Sequence, residues 1–266
     1  EFDVWFREQL LHDQGAVKRA VDDFVSRGVA YEQEGAVWLK TQDFGDDSDR
    51  VVQRSNGAYT YIASDVAYAA NKFDRGFEHL IYVWGPDHAG YVPRLKAAVA
   101  ALNRGTCEII IYQQVRFLEG GQPMSLSKRK GAIVSVRDLV EEIGRDATRF
   151  FFLMRSVDAH LDFDLDLART QSQENPVYYV QYAHARICSI AREGRERGLV
   201  TDEKADADLS LLTHPDEQAL MRKIAEYPNE LIEAAKLRAP HRLTYFAREL
   251  AQAFHQFYGS CRVLDA

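Results

Sequence analysis

The chain has 266 residues, 46% of them hydrophobic, and a formal net charge of −7 at pH 7. That apolar content can fill one large core or two ordinary ones and excludes a disordered chain. No run approaches the roughly 20 unbroken apolar residues of a membrane-spanning helix, so no membrane partner is expected. An acidic body disfavours non-specific binding of polyanions, and a nucleic-acid partner would have to meet local basic patches. Lys128-Arg129-Lys130 and the stretch bearing Arg186, Arg192, Arg195 and Arg197 are two such patches, each of which could equally be a solvated face. Cys107, Cys188 and Cys261 are odd in number, far apart and without metal-ligand spacing. They predict free thiols in a reducing, cytoplasmic setting, with no metal site and no disulfide framework. The chain starts at Glu1 with no apolar signal segment, which predicts an internal piece of a longer protein.

Val17, Ala20, Val21, Phe24 and Val25 recur at helical spacing and Gly28 follows as a stop. Two hairpins come next. Ala30 to Glu32 faces Val37 to Leu39 around Glu34-Gly35, and Val51-Val52 faces Tyr59 to Ile62 around Asn56-Gly57. Ser64 is expected to cap a helix through Lys72. His79 to Trp84 and Cys107 to Tyr112 read as buried strands flanking a helix from Pro93 to Leu102, a spacing that predicts a parallel βαβ unit. Ligands bind at the C-terminal strand ends of such sheets, here Gly85 to His88 and Gln113 to Arg116.

Gly120-Gly121 opens a segment expected to be irregular as far as Gly131. Helices are expected from Val136 to Ile143 and from Asp146 to Arg155, then a connection from Asp158 to Asp166. After Asn175-Pro176 the pattern is helical over residues 177–197, 215–226, 228–237 and 240–261, with Pro215, Pro228 and Pro240 at helix starts. The shift from α/β to all-α places a domain boundary near residue 165.

Several stretches carry more than secondary structure. They are Phe44-Gly45-Asp46-Asp47, Tyr59-Thr60-Tyr61 leading to Asp65, Val83-Trp84-Gly85-Pro86-Asp87-His88, and Met124 to Gly131. Arg149-Phe150-Phe151-Phe152, Leu161-Asp162-Phe163-Asp164, the run from Asn175 to Arg186, and Cys261-Arg262-Val263-Leu264 continue the series. In order and spacing the set resembles the class I arginyl-tRNA synthetases along the whole chain. The resemblance implies a Rossmann-like nucleotide-binding half domain over residues 1–165, the second half of the class I catalytic domain, followed by an incomplete helical anticodon-binding bundle over 166–266.

A guanidinium is planar and always charged, and a carboxylate accepts its two parallel hydrogen bonds best. Asp65 lies four residues after Tyr61. By residue type alone, Asp65 could cap a helix and Tyr61 could sit in a strand core. The resemblance implies instead that both bind the arginine side chain, with His88 beside them, and that Gly85, Asp87, His88 and Val115 contact ATP. Pro86 and Ala89 depart from the family pattern, which has Ala and a second His there. Met124 to Gly131 resembles the Lys-Met-Ser-Lys-Ser loop, whose cation stabilises charge on the departing pyrophosphate. Lys128 is then the principal cation, with Ser127 and Arg129 beside it, while Ser125 and Leu126 replace the usual Lys and Met. Tyr179, Tyr182 and Arg186 match positions implied to meet the tRNA, since aromatic faces stack on unpaired bases and arginines bind phosphate. Core packing is an equal alternative for each tyrosine.

The implied activity is an arginine–tRNA ligase using ATP, Mg²⁺, L-arginine and tRNA(Arg), monomeric when intact. The family's His-x-Gly-His stretch does not occur in this sequence, so the piece alone is expected to be inactive. Two alternatives are a class I synthetase for another amino acid, against which Asp65 speaks, and a non-catalytic RNA-binding relative, against which the Ser127-Lys128 loop speaks.

Overall fold

A computed structural model of the chain describes residues 2–124, 135–199 and 208–264, in two compact units, Glu1–Tyr112 and Gln113–Ala266. Among the described residues no helix is long and apolar enough to cross a membrane.

In the first unit a short α1 (Gln9–Asp13) precedes α2 (Ala16–Ser26). Spacings of three and four put Val17, Ala20, Val21 and Phe24 on one stripe of α2, and all four are buried, whereas Val25, expected with them, is 41% exposed at the edge of the stripe. β1 (Ala30–Gln33) and β2 (Ala36–Leu39) form the first expected hairpin. Its turn residues Glu34 and Gly35 have φ of +54° and +74°, the left-handed pair that a two-residue hairpin requires. β3 (Arg50–Gln53) pairs with β2.

The second expected hairpin closes differently. Tyr59 bridges back to Gln53, but Tyr61 and Ile62 already belong to α3 (Tyr61–Asp74). Thr60 makes the switch. Its N–H donates to the Val52 carbonyl at 3.0 Å and its hydroxyl to the Val51 carbonyl at 2.7 Å, so it pins the chain to β3 instead of capping the helix. Ser64 is not the cap either; it is buried one turn in, its hydroxyl 3.1 Å from His12 Nε2.

β4 (His79–Trp84) and β5 (Thr106–Ile111) pair in parallel, from His79 opposite Thr106 to Trp84 opposite Ile111. They are joined by a 3₁₀ turn over Pro86–Tyr91 and by α4 (Val92–Leu102). Leu80, Tyr82 and Trp84 pack into the core with buried α3 and α4 residues such as Val66, Leu95 and Val99, whereas Ile81 and Val83 stay exposed on the other face of the ribbon. Gly105 precedes β5 at a point of close approach.

In the second unit β6 (Val115–Glu119) turns back through Gly120 and Gly121, at φ +59° and +71°, into β7 (Gln122–Pro123). The segment expected to be irregular therefore begins as a hairpin. The expected connection from Asp158 to Asp166 contains β8 (Leu161–Asp164), parallel to β6. Leu161 and Phe163 are buried, while Asp162 is exposed and pairs with Arg116 across the sheet at 2.7 Å. Asp164 accepts from the Leu167 N–H at 2.9 Å and so caps α7 (Leu165–Arg169). α5 (Val136–Ile143) and α6 (Arg145–Phe152) lie between β7 and β8, α5 opening with a reciprocal Ser135–Asp138 cap.

α8 (Pro176–Glu196) is capped by Asn175, whose amide is buried and fully used. Its oxygen accepts from the N–H groups of Val177 and Tyr178 (3.0 and 3.3 Å), and its nitrogen donates to the carbonyls of Ala168 and Thr170 (3.2 and 2.8 Å). α9 (Pro215–Lys236) runs unbroken through Pro228, where two helices are expected from the sequence. Pro228 and its neighbours are exposed, so water can take the Ile224 carbonyl that loses its helical donor. α10 (His241–Ser260) packs on α8 through Ala183, Ala251 and Phe254. Residues 113–165, which composition groups with the α/β half, thus fold within the second compact unit.

A Cβ on Gly105 would stand 2.4 Å from the Glu78 carbonyl oxygen and 2.5 Å from the Phe73 ring. Neither backbone nor a buried ring can yield that much in a close-packed interior. Gly105→Ala is expected to lower stability by about 1–3 kcal/mol, read as a lower urea midpoint; an unchanged midpoint would contradict the close approach.

Candidate active site

Because α3 begins at Tyr61, Tyr61 and Asp65 stand one turn apart on the same helix face. Tyr61 is 87% exposed and Asp65 is half-buried. The Asp65 carboxylate accepts a hydrogen bond from the Tyr91 hydroxyl, 2.7 Å from Oδ2. Burial pushes the Asp65 carboxyl above the usual range, and Glu8 adds to this; the Tyr91 bond and the Lys72 charge oppose it. Burial and the adjacent carboxylate together raise Tyr91 well above an ordinary phenol.

The surroundings of Asp65 are aromatic. The Trp84 ring centroid lies 5.8 Å from Tyr82, 5.8 Å from His88 and 5.9 Å from Tyr91. The Lys72 ammonium sits 4.1 and 4.2 Å from the ring centroids of Tyr68 and Tyr82, a cation over two negative ring faces. Burial pulls its pKa down and Arg75 adds to that, while Asp65 opposes. A carboxylate with flat rings nearby can take a guanidinium by two parallel hydrogen bonds and stacking, a geometry an ammonium cannot reproduce.

The loop leaving β4 carries the other candidates of this unit. The His88 N–H donates to the Gly85 carbonyl at 3.1 Å, which leaves Asp87 and His88 exposed on the turn. A Cβ on Gly85 would meet the Tyr112 hydroxyl at 3.4 Å, an ordinary contact. Packing within the chain therefore does not demand glycine there. The Phe44 to Arg50 stretch is a brace. Arg50 holds Asp46 through two bonds of 2.7 and 3.1 Å and also pairs with Asp47. The Arg50 bond, opposed by burial, keeps the Asp46 carboxyl low, with Arg94 contributing.

In the second unit Val115 opens β6, half-buried against Phe163 and its neighbours. Ser127, Lys128 and Arg129, with Ser125, lie outside the described residues. Tyr179 packs against the Ala183, Ala251 and Phe254 core, while Tyr182 is exposed. The Arg186 guanidinium lies 4.9 Å from the Tyr182 ring and 4.5 Å from that of Tyr258, and it donates to the Tyr182 hydroxyl at 2.6 Å. The His255 ring stacks on Tyr182 at 5.8 Å and meets Tyr179 edge-on at 4.8 Å. Burial lowers the His255 pKa and Arg186 adds to it, against a hydrogen bond to the Tyr179 backbone. Sequence reasoning missed Tyr91, Lys72, His255 and Tyr258 as partners of the candidate residues. Tyr91 was within reach, since it stands three residues past His88 in the same strand-to-helix loop.

The raised Asp65 pKa has a consequence for stability. Its folded-state pKa exceeds the unfolded value, so ionisation destabilises the fold at pH values above the folded pKa, and this cost fades as pH falls toward the unfolded value. Asp65→Asn is therefore expected to raise the thermal midpoint at pH 7, by an amount that shrinks on acidification. A midpoint gain that stays constant or grows as pH falls would contradict the burial of this charge.

The chain matches two family models. The class I (R) tRNA synthetase catalytic domain covers residues 3–154 and the DALR anticodon binding domain covers residues 180–266. It is 53% identical to an arginine–tRNA ligase of Moorella thermoacetica over 265 residues, 99% of this chain and 47% of that protein. The arginine–tRNA ligase of Bacillus subtilis is 49% identical, over 99% of this chain and 48% of that protein. A Campylobacter jejuni crystal structure described as an arginyl-tRNA synthetase superposes with a TM-score of 0.87 at 35% identity, covering 100% of this chain and 58% of that one. The Thermus thermophilus arginyl-tRNA synthetase shares the fold at a TM-score of 0.73 and 21% identity. The chain spans about half the length of the curated relatives it matches. Since the catalytic-domain model spans more than half of its residues, the chain belongs to the class I arginyl-tRNA synthetase family.

Proposed function

We propose that the full-length protein containing this chain is an arginine–tRNA ligase. In its first step the arginine carboxylate attacks the α-phosphorus of ATP, forming arginyl-adenylate and releasing pyrophosphate. In the second, a terminal ribose hydroxyl of tRNA(Arg) attacks the acyl carbon and AMP leaves. The observation that carries this reading is Asp65, a half-buried carboxylate in an aromatic setting with an exposed tyrosine one turn before it. A carboxylate held partly out of water is costly, and a cationic substrate that forks onto it would offset that cost on binding.

Tyr61, Asp65 and His88 are assigned to the arginine side chain, and Gly85, Asp87, His88 and Val115 to ATP. Lys128, with Ser127 and Arg129, is assigned to the charge that develops on the departing pyrophosphate. Among the described residues no group of histidine, cysteine and carboxylate side chains is arranged to hold a metal. Mg²⁺ is assigned to the ATP phosphates as the usual companion of the nucleotide. Tyr179, Tyr182 and Arg186 are assigned to tRNA, Tyr182 being exposed while Tyr179 packs against the core. Residues 1–165 serve the catalytic domain and 166–266 the anticodon-binding domain of a cytoplasmic monomer.

Two substitutions in the full-length enzyme divide these roles. Asp65→Ala is expected to weaken arginine binding at least about a hundredfold, the scale of a lost charge-assisted pair, with ATP affinity retained in calorimetry; unaltered arginine affinity refutes the assignment. Lys128→Ala is expected to keep arginine affinity and lose about two or three orders of magnitude in arginine-dependent pyrophosphate exchange. A fully active variant removes Lys128 from the chemistry.

A further inference from the structure

The proposed arginine site has a member that substrate recognition does not by itself explain. Among the described residues, the hydrogen bond that reaches the Asp65 carboxylate comes from Tyr91. Tyr91 ends the 3₁₀ turn that carries Asp87 and His88, and it stands immediately before α4. Its ring rests 5.9 Å from Trp84, and the Arg94 guanidinium lies 5.2 Å from the ring centroid. The Arg94 Nε is buried with no hydrogen-bond partner, and its guanidinium covers the Tyr91 ring. The phenol is thereby fixed at its ring while its oxygen is aimed at Oδ2 of Asp65.

We infer that Tyr91 is a positioning residue for arginine recognition: it locks the Asp65 carboxylate in the plane that receives the guanidinium and joins it to the Gly85–Tyr91 turn. The inference rests on the reading of Asp65 as the guanidinium acceptor. A free aspartate rotates about its terminal torsion, which is broad and roughly two-fold. One O–H···O bond at 2.7 Å removes that freedom while each oxygen keeps a lone pair for a parallel N–H pair. The groups facing this pair are Glu8 before α1, Lys72 on α3, Arg50 on β3 and Arg94 on α4. Loss of the phenol leaves the carboxylate among them with its burial undiminished and one stabilising donor fewer. Its protonation then sets in at a higher pH, and arginine binding falls with it.

The test uses the full-length enzyme, with arginine and ATP affinities measured separately by calorimetry between about pH 5 and 8. Tyr91→Phe keeps the ring and its contacts and deletes only the hydroxyl. It is expected to weaken arginine binding about tenfold at neutral pH, to leave ATP affinity within about twofold, and to move the acid limb of arginine binding to higher pH. An acid limb and arginine affinity like those of the unaltered enzyme overturn the inference. So does a parallel loss of arginine and ATP binding, which marks a purely structural tyrosine. Asp65→Ala, measured alongside, separates the two levels. If it loses arginine and Tyr91→Phe does not, only the positioning role falls. If it keeps arginine, the site reading falls and Tyr91 with it.

Discussion

The site depends on keeping a carboxylate charged where burial works against charge. Asp65 is half-buried beside Tyr91, and desolvation is the largest influence on its proton affinity. The Tyr91 hydroxyl and the Lys72 ammonium pull the other way. A surface aspartate would need neither, but water would compete for it and it would bind a cation weakly. Partial desolvation strengthens the attraction to an incoming guanidinium and weakens the fold by the same physics. This is the usual exchange between stability and function at a binding site.

The backbone that delivers Asp65 follows from one threonine. Thr60 spends its donors on the Val51 and Val52 carbonyls, which ends the antiparallel sheet and fixes where α3 begins. With the start fixed at Tyr61, the 3.6-residue period places Tyr61 and Asp65 on one face and directs Val66 inward, while Lys72 lies farther along the helix beside Tyr68 and Tyr82. The parallel β4–β5 pair supplies the second wall, because its C-terminal end opens into the turn that bears His88 and Tyr91. The candidate site is thus framed by α3, the start of α4 and a strand end, elements that keep a site geometry more rigidly than a free loop.

Much of this was legible in the residues. The α2 stripe, the Glu34-Gly35 hairpin and the strand–helix–strand unit each carry a strong local period or turn signal, and the structure has all three. What escaped were decisions made by tertiary partners. β8 looked like a connection because its aspartates hide an alternation that only the Arg116–Asp162 pair and the buried Phe163 make plain. Pro228 reads as a helix start, yet an exposed carbonyl before it lets α9 continue. Tyr59 to Ile62 has strand composition, and the Thr60 bonds override it. Tyr61 and Asp65 could be named from their resemblance to a family, whereas Tyr91 needed the fold, because it comes from α4's start and no spacing rule joins it to α3.

Asn175 sits where α7 ends and α8 begins, and its amide satisfies two donors and two acceptors at once. Aspartate would match the shape and keep the acceptor, but it would turn an anion toward the Ala168 and Thr170 carbonyls. Serine could cap the helix yet would leave both carbonyls unanswered, and glutamine would carry its amide one carbon too far. The junction therefore has no chemically gentle replacement among the ordinary amino acids, so drift at this position should be slower than its neutral, uncatalytic character suggests.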